Sequence, residues 1–395
     1  MSGPRSVLVV GASLAGSATA RALRQLGYAG TITIVGDEPH RPYDRPPLSK
    51  EFLAGTMSEA ELSLEMPGED LQADWRLGTR ALALDAAARS VILDDGTRLS
   101  ADAVVIATGA AARRLPDRLA GLHTLRTLDD AVALRRDLQP GSRLAVIGAG
   151  FIGAEIASTA SGLGLDVTVV EAAPAPLAGP LGVELGRAVA GLHEQHGVRL
   201  RCGVAVTGPT GTDRVTGLEL ADGTTVEADV VVAGIGAVPA VDWLAGSGLD
   251  VSAGVVCSST GATEVPGVWA VGDCSAWHDP RRGHPHRVEH WTDARDRPTI
   301  VAQDLLGLPT SPLRAPYFWS DQYGVRLQFA GWHLGGEQVT VEAGSAATGD
   351  LLAVYRDERG EPTAVLGMNQ PKLFQRVRKS LSLALEGSDA GRRNR

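Results

Sequence analysis

Short apolar runs that end on glycine, each followed by a stretch of helical spacing, recur along the chain. "VLVVG" (Val7 to Gly11) has the pattern of a strand buried on both faces, and "AGSATARALRQLG" carries helical periodicity as far as Gly27. "TITIVGDE" reads as the next strand, and "DAVVIATGA" (Asp102 to Ala110) as another that ends on glycine. The order then restarts: a strand in "RLAVIGAG", a helix through "AEIASTASGLG" and a strand in "DVTVVEA". "DVVVAGIGAVP" (Asp229 to Pro239) echoes "DAVVIATGA", so the chain holds a coarse internal repeat of two βαβ units, each closed by a later strand. "GVWAVGDC" (Gly267 to Cys274) adds one more strand that stops at Gly272-Asp273. From about Leu313 the texture changes. "PYFWSDQYGVRLQFAGWH" and "DLLAVYRD" alternate as antiparallel strands do, "PKLFQRVRKSLSLAL" has helical spacing, and "EGSDAGRRNR" is polar and expected to be disordered.

The glycines at the head of each unit have a specific chemistry. In a dinucleotide fingerprint the first glycine permits a tight turn, the second lets backbone approach a pyrophosphate, and the third lets helix and strand pack closely. The helix then presents free N–H groups and positive partial charge to the phosphates. "GAGFIG" fills the three places with Gly148, Gly150 and Gly153, and Glu171 in "VTVVEAAP" stands where a ribose hydroxyl would be accepted. The first unit, "GASLAG", has Gly11 and Gly16 but Ser13 in the middle, a replacement small enough for close approach. Asp37 and Glu38 are its candidate ribose acceptors. One such motif is weak; two, each in strand–turn–helix context with a placed acid, predict an α/β chain with two Rossmann-like dinucleotide-binding domains and a C-terminal α+β domain. Two dinucleotides in one chain point to a flavin and a nicotinamide. Asp273, at a strand end, is a candidate for a ribityl hydroxyl.

Composition narrows this little further. The 395 residues allow two or three domains, and 44% hydrophobic with 21% charged residues is ordinary for a soluble globular protein. A net charge of −9 argues against a general nucleic-acid binder. No apolar run is long enough to span a bilayer. "MSGPRSVLVVGAS" goes directly into a strand, so no signal peptide is expected and cytoplasmic residence follows by default. Cys202, Cys257 and Cys274 are far apart with no CxxC pair, so neither a disulfide framework nor a metal site is expected.

"YDRPPLSKEFLAG" (Tyr43 to Gly55), "GAGFIGAEIA", "AVGDC", "VEHWTDAR" and "PYFWSDQY" together resemble the oxygenase-coupled NADH-dependent ferredoxin reductases, flavoproteins of the putidaredoxin reductase type. The resemblance covers nearly the whole chain. It implies a glutathione-reductase-like fold of three-layer ββα type, with an FAD domain (1–114 and 244–311) interrupted by an NAD domain (115–243) and followed by a C-terminal domain (312–395) beside the flavin. It implies that Gly11, Ser13, Leu14, Ala15 and Gly16 bind the FAD pyrophosphate and Asp37 the adenosine ribose. Arg45, Lys50 and Arg126 would contact the FAD, Ala81 would bind adenine through backbone, Asp273 would take the ribityl chain, and Trp291 would lie at the pyrimidine edge. Thr108, Ile152 and Gly236 join the cofactor-binding set. Glu155 is expected near Lys50 and the nicotinamide, and Glu171 on the NADH ribose.

Each catalytic role has a chemical reason. The reduced flavin is anionic, and a cation such as Lys50 would stabilise that charge in a dry site. A buried lysine without a partner tends to lose its proton, so Glu155 makes sense beside it. Thiol reductases of this fold carry a redox cysteine pair after the second strand, where this chain reads "HRPYDRPPLSK". Cys274 alone reads as a small buried filler. The flavin must then pass electrons directly to a partner, expected to be a small [2Fe-2S] or similar ferredoxin serving a cytochrome P-450 or Rieske oxygenase, since the chain lacks the cysteines to bind a cluster itself. Small ferredoxins are usually acidic, so docking is expected on a local basic surface. Lys372, Arg376 and Lys379 share one helix face with Arg378 beside them, and Arg281, Arg282 and Arg287 lie close in sequence to "EHW". The expected assembly is a monomer or weak homodimer. The alternatives are an NADH oxidase, a quinone or small-molecule reductase, and a non-enzymatic redox-sensing flavoprotein.

The chain departs from the pattern at Ser13, at Gly179 in "PLAGPLG", where relatives often carry an arginine, and at Pro298. Pro298 falls where relatives have a helix interior and is expected to kink or delay that helix.

Overall fold

A computed structural model of the chain describes residues 3–392, which divide into two compact units. The first comprises residues 3–44, 63–111 and 238–316; the second comprises residues 45–62, 112–237 and 317–392.

The first unit is built on a five-stranded parallel sheet in the order Val268–Ala270, Ala103–Ile106, Ser6–Val10, Thr31–Val35, Ala73–Arg76. Val7 to Val10 and Ala103 to Ile106 are buried on both faces, which is why those runs show no alternation. The helix Leu14–Gln25 follows the first strand and stops where Gly27 takes a left-handed φ of 83°. Its small residues let it pack against the helix Trp291–Leu305. An antiparallel sheet of Ala81–Asp85, Ser90–Leu93 and Arg98–Ser100 and a mixed one of Val255–Cys257, Ser275–Asp279 and His284–Arg287 complete the unit.

The second unit repeats the parallel sheet in the order Arg199–Cys202, Asp166–Glu171, Arg143–Ile147, Val230–Ala233, Leu122–His123. The echo between the two halves is an echo of strand placement. Ile106 stands beside Val10 as Ala233 stands beside Ile147, so each later strand lies next to the first strand of its own fingerprint.

The C-terminal segment forms an antiparallel sheet in the order Tyr317–Gln322, Val325–Gly331, Pro362–Met368, Asp350–Arg356, Gln338–Ser345. One face packs Leu352, Val354 and Val365 against Phe374 and Leu381 of the helix Pro371–Arg392. The other packs Leu327, Phe329, Leu351 and Leu366 against Leu177, Leu181, Leu185, Val189 and Leu192. Three of those residues lie on the helix Val183–Gln195, which opens after Gly182 without a side-chain cap and was not expected from the sequence. Leu177 and Leu181 belong to the "PLAGPLG" run around Gly179. Here that run is an apolar strap, tied down by the Tyr355 hydroxyl, which donates to the Leu181 carbonyl at 2.7 Å.

Two expectations are corrected. Pro298 does not delay its helix, which begins at Trp291 and continues through the buried proline to Leu305. Packing on the neighbouring helix holds the backbone in place although Pro298 offers no N–H to the Ala294 carbonyl. The backbone of the C-terminal helix also runs to Arg392, into the tail expected to be disordered; residues 393–395 lie outside the described residues. No described helix is long and apolar enough to cross a membrane.

Restoring the missing donor should stabilise the first unit. Pro298→Ala is expected to gain roughly 1–3 kcal/mol, read as a higher thermal midpoint; an unchanged or lower midpoint would show that the proline ring's packing outweighs the lost bond.

Candidate functional site

Both fingerprint turns close on backbone. A Cβ on Gly11 (φ 123°) would lie 2.1 Å from the Ala107 carbonyl oxygen, and one on Gly16 would lie 1.8 Å from the Gly11 oxygen. In the second turn a Cβ on Gly148 (φ 94°) would lie 2.4 Å from the Gly234 oxygen, and one on Gly153 would lie 2.1 Å from the Gly148 oxygen. The middle position is different. Nothing lies within 4 Å of a Cβ placed on Gly150, and Gly150 and Ser13 both cap their helices in extended backbone that any residue adopts. That open space, over a helix N-terminus, fits a pyrophosphate, and it explains how Ser13 is accommodated. Leu14 and Ala15 begin the first helix, and Ile152 stands exposed on the first turn of the second.

The acids that follow differ in setting. Glu171 closes its strand and accepts from the Ala149 N–H (2.7 Å) with one oxygen and from the Ala173 N–H (2.8 Å) with the other, so it is already drawn onto the fingerprint loop. Asp37 is exposed and held by Arg80, whose Nη2 lies 2.8 Å from Oδ2. Arg80 was not singled out in the sequence; its position beside Ala81, the buried first residue of a strand, was the available signal.

Lys50 and Glu155 meet. Pro46 and Pro47 preset the 3₁₀ turn Pro46–Ser49, and the short helix Glu51–Ala54 follows and ends at Gly55 in the left-handed region. Lys50 stands at that junction with its Nζ 2.8 Å from Glu155 Oε2. Glu155 is 6% exposed on the helix Phe151–Gly162. The Ser49 hydroxyl also donates to Oε2, and the Ser320 hydroxyl donates to Oε1 at 2.7 Å. Thr159, one turn along the same helix, donates to the Ser49 carbonyl at 2.7 Å and ties the turn to the helix. Neither serine was anticipated.

The remaining candidates fall as follows. Arg45 donates to the Arg126 carbonyl, which brings those two together. Thr108 donates to the Ala240 carbonyl at 2.7 Å. Gly272, just before Asp273, comes so close to the first fingerprint helix that a Cβ there would lie 2.9 Å from Ala15 Cβ. Trp291 opens its helix and donates through Nε1 to Asp44 at 2.6 Å. Gly236 has φ 96° and accepts from the Arg113 N–H at 2.9 Å.

All three cysteines are free, and burial pushes the thiols of Cys202, Cys257 and Cys274 up, away from the thiolate form. Among the described residues, no cluster of His, Cys, Asp or Glu is arranged to hold a metal ion. Lys372, Arg376 and Lys379 are exposed on the helix face opposite Phe374 and Leu381 and form no ion pair with the described residues. Arg378 instead lies over the Tyr317 ring at 4.0 Å. Arg281 and Arg287 are engaged internally. Burial would push the Asp279 carboxyl up, but Arg281 beside it outweighs this and holds it below its usual range, while Arg287 pairs with Glu289 at 2.7 Å.

Residues 5–297 match the family model described as pyridine nucleotide-disulphide oxidoreductase, and residues 317–390 match that of the reductase C-terminal domain. The chain belongs to the pyridine nucleotide-disulphide oxidoreductases. This oxidoreductase is 37% identical to the biphenyl dioxygenase system ferredoxin–NAD(+) reductase component of Paraburkholderia xenovorans (strain LB400), over 93% of its length and 91% of that protein's. It is 38% identical to the chlorobenzene dioxygenase ferredoxin reductase component of Cupriavidus sp. (strain PS12), over 93% and 90%. Its fold superimposes on a chain from the crystal structure of a covalent putidaredoxin reductase–putidaredoxin complex with a TM-score of 0.91 at 34% identity, covering 96% of this chain and 93% of that one.

The two glycine environments of the second fingerprint separate folding from ligand binding. Gly153→Ala should cost about 1–3 kcal/mol through backbone overlap, whereas Gly150→Leu, which only weakens the helix cap, should cost less, roughly 0.5–1 kcal/mol, while its bulk in the open space impairs nicotinamide nucleotide binding. Thermal midpoints and NADH titrations of the two variants check this; equal destabilisation, or unimpaired binding by Gly150→Leu, would count against it.

Proposed function

We propose that this oxidoreductase is an FAD-dependent NADH:ferredoxin reductase that supplies electrons, through a small [2Fe-2S] or similar ferredoxin, to an oxygenase, and that it works in the cytoplasm. The observation that carries the reading is two separate dinucleotide cradles in a chain whose three cysteines are free, carry no CxxC spacing and are driven toward the protonated form by burial. With no thiol pair to relay electrons, a one-electron carrier outside the chain is the fitting acceptor. The named roles of the relatives in dioxygenase systems agree with this.

In this reading 1–114 with 244–311 form the FAD-binding domain, 115–243 the NAD-binding domain and 312–395 the C-terminal domain. Gly11, Ser13, Leu14, Ala15 and Gly16 hold the FAD pyrophosphate on the helix N-terminus, and Asp37 holds the adenosine ribose. Ala81, Thr108, Asp273 and Trp291 contact the FAD, with Arg45, Lys50 and Arg126 as further contacts. Gly148, Gly150, Ile152, Gly153 and Gly236 serve the nicotinamide nucleotide, and Glu171 accepts its ribose hydroxyl. Bound FAD would accept two electrons from NADH and release them singly to the ferredoxin. The chain's own contribution is electrostatic and geometric. Lys50 supplies a fixed positive charge where negative charge develops, and Glu155 holds that ammonium in place by a direct ion pair. The purified protein should be yellow, bleach on addition of NADH, and reduce a ferredoxin in catalytic amounts. Colourless protein, or turnover with dioxygen or quinone but with no ferredoxin, would overturn the proposal.

Cofactor choice follows from Glu171. Its carboxylate accepts a 2′-hydroxyl and repels a 2′-phosphate, and "EAAPAPLAG" offers no arginine to receive one. Flavin reduction should be faster with NADH than with NADPH at equal concentration; equal rates or faster NADPH would refute this.

Docking should depend on the exposed basic face of the C-terminal helix. Reversal of Arg376 and Lys379 to Glu should slow ferredoxin reduction and flatten its salt dependence, since steering between charges fades beyond about 8 Å at physiological ionic strength. Flavin reduction by NADH should stay near wild type. A double variant with unaltered ferredoxin rate and salt sensitivity would move the docking surface elsewhere.

A further inference from the structure

The carboxylate of Glu155 is held from both sides. Lys50 and Ser49 serve Oε2, while Oε1 is served by Ser320, 165 residues along the chain on the strand Tyr317–Gln322. Ser320 is 0% and Gln322 1% exposed, and both point to the same face of that strand. The direction of the bonds is determined. Gln322 Nε2 donates to Ser320 Oγ at 3.0 Å, which occupies the serine oxygen as acceptor and leaves its single O–H for Glu155. The strand end is pinned to the same helix that carries Glu155. Tyr323, the next residue, takes a left-handed φ of 54°, its N–H donates to Ser158 Oγ at 2.7 Å, and its hydroxyl meets His193 Nδ1 at 2.7 Å.

We propose that Ser320 is a positioning residue for the Lys50–Glu155 pair and that Gln322 aims it. The proposal rests on the roles given to Lys50 and Glu155 under Proposed function. The last torsion of a glutamate is broad and roughly two-fold, so bonds to Oε2 alone leave the carboxylate free to turn. A buried Oε1 without a donor is costly and drives the group to seek another, away from Lys50 Nζ. With Ser320 in place both oxygens are satisfied in one orientation, and the lysine is held ready without rearrangement.

The test uses the full-length, flavin-loaded protein and rapid mixing with NADH, reading the limiting rate of flavin reduction, the NADH concentration for half-saturation and the thermal midpoint. Ser320→Ala is expected to lower the limiting rate about tenfold with half-saturation changed by less than about twofold, because an interaction realised in the reacting state is lost. Ser320→Thr, which keeps the hydroxyl, should recover most of the rate. Gln322→Glu should lower the rate too, since a carboxylate competes for the Ser320 proton. If Ser320→Ala fails to retain flavin, Gln322→Leu decides: it frees the serine hydroxyl to turn, and an unchanged rate overturns the proposal. Glu155→Gln separates the two levels. A fast Glu155→Gln removes the catalytic reading of the ion pair; a slow Glu155→Gln beside a wild-type Ser320→Ala, or a Ser320→Thr as slow as Ser320→Ala, removes the positioning role alone.

Discussion

Each fingerprint turn lacks room for a single methyl group, and this exclusion sets the rest of the architecture. The third glycine lets the helix backbone settle against the carbonyl of the first, so the helix begins directly over the strand end with its free N–H groups facing the open middle position. The first glycine is demanded from the other side, by the carbonyls of Ala107 and Gly234. Those two residues follow the later strand of each half. The echo between "DAVVIATGA" and "DVVVAGIGAVP" therefore has a physical origin: each later strand must bring small backbone to its own fingerprint turn.

This explains what the chain discloses when read as letters. Close backbone approach requires glycine and nothing else, and strands buried on both faces show as unbroken apolar runs. The two strand–turn–helix units, Glu171 and the strand ending at Gly272-Asp273 were accordingly legible. Lys50 and Glu155 were legible only through a family pattern, because no local rule links positions 105 residues apart. Ser320 and Gln322 were hidden altogether. They alternate with Tyr317 and Trp319 along a strand, so they read as the solvent-facing side of an ordinary sheet, whereas they are buried against a different element. The helix Val183–Gln195 was obscured by Gly186 and Gly191 within it and by the absence of a capping side chain. Pro298 misled for the opposite reason: a strong local preference was overridden by packing.

The charges divide along similar lines. Arg281 and Arg287 look available in a basic run, but each has a carboxylate at hand and is occupied in holding its own loop. The cations of the C-terminal helix sit on a face whose opposite side is fully used for packing, so they are projected outward by the same amphipathic pattern that anchors the helix.

The apolar strap from Leu177 to Leu181 joins the half built on the second fingerprint to the C-terminal sheet through shared core and the Tyr355 bond. The second fingerprint, which begins near Arg143, and the C-terminal sheet thus belong to one compact unit with a shared core, so opening the sheet is expected to expose the strap as well. Modular construction follows a boundary different from the one the repeat proposes. A segment transplanted with the second fingerprint and its strap must travel with its own C-terminal sheet, because without that sheet the strap's leucines lose the apolar face that covers them.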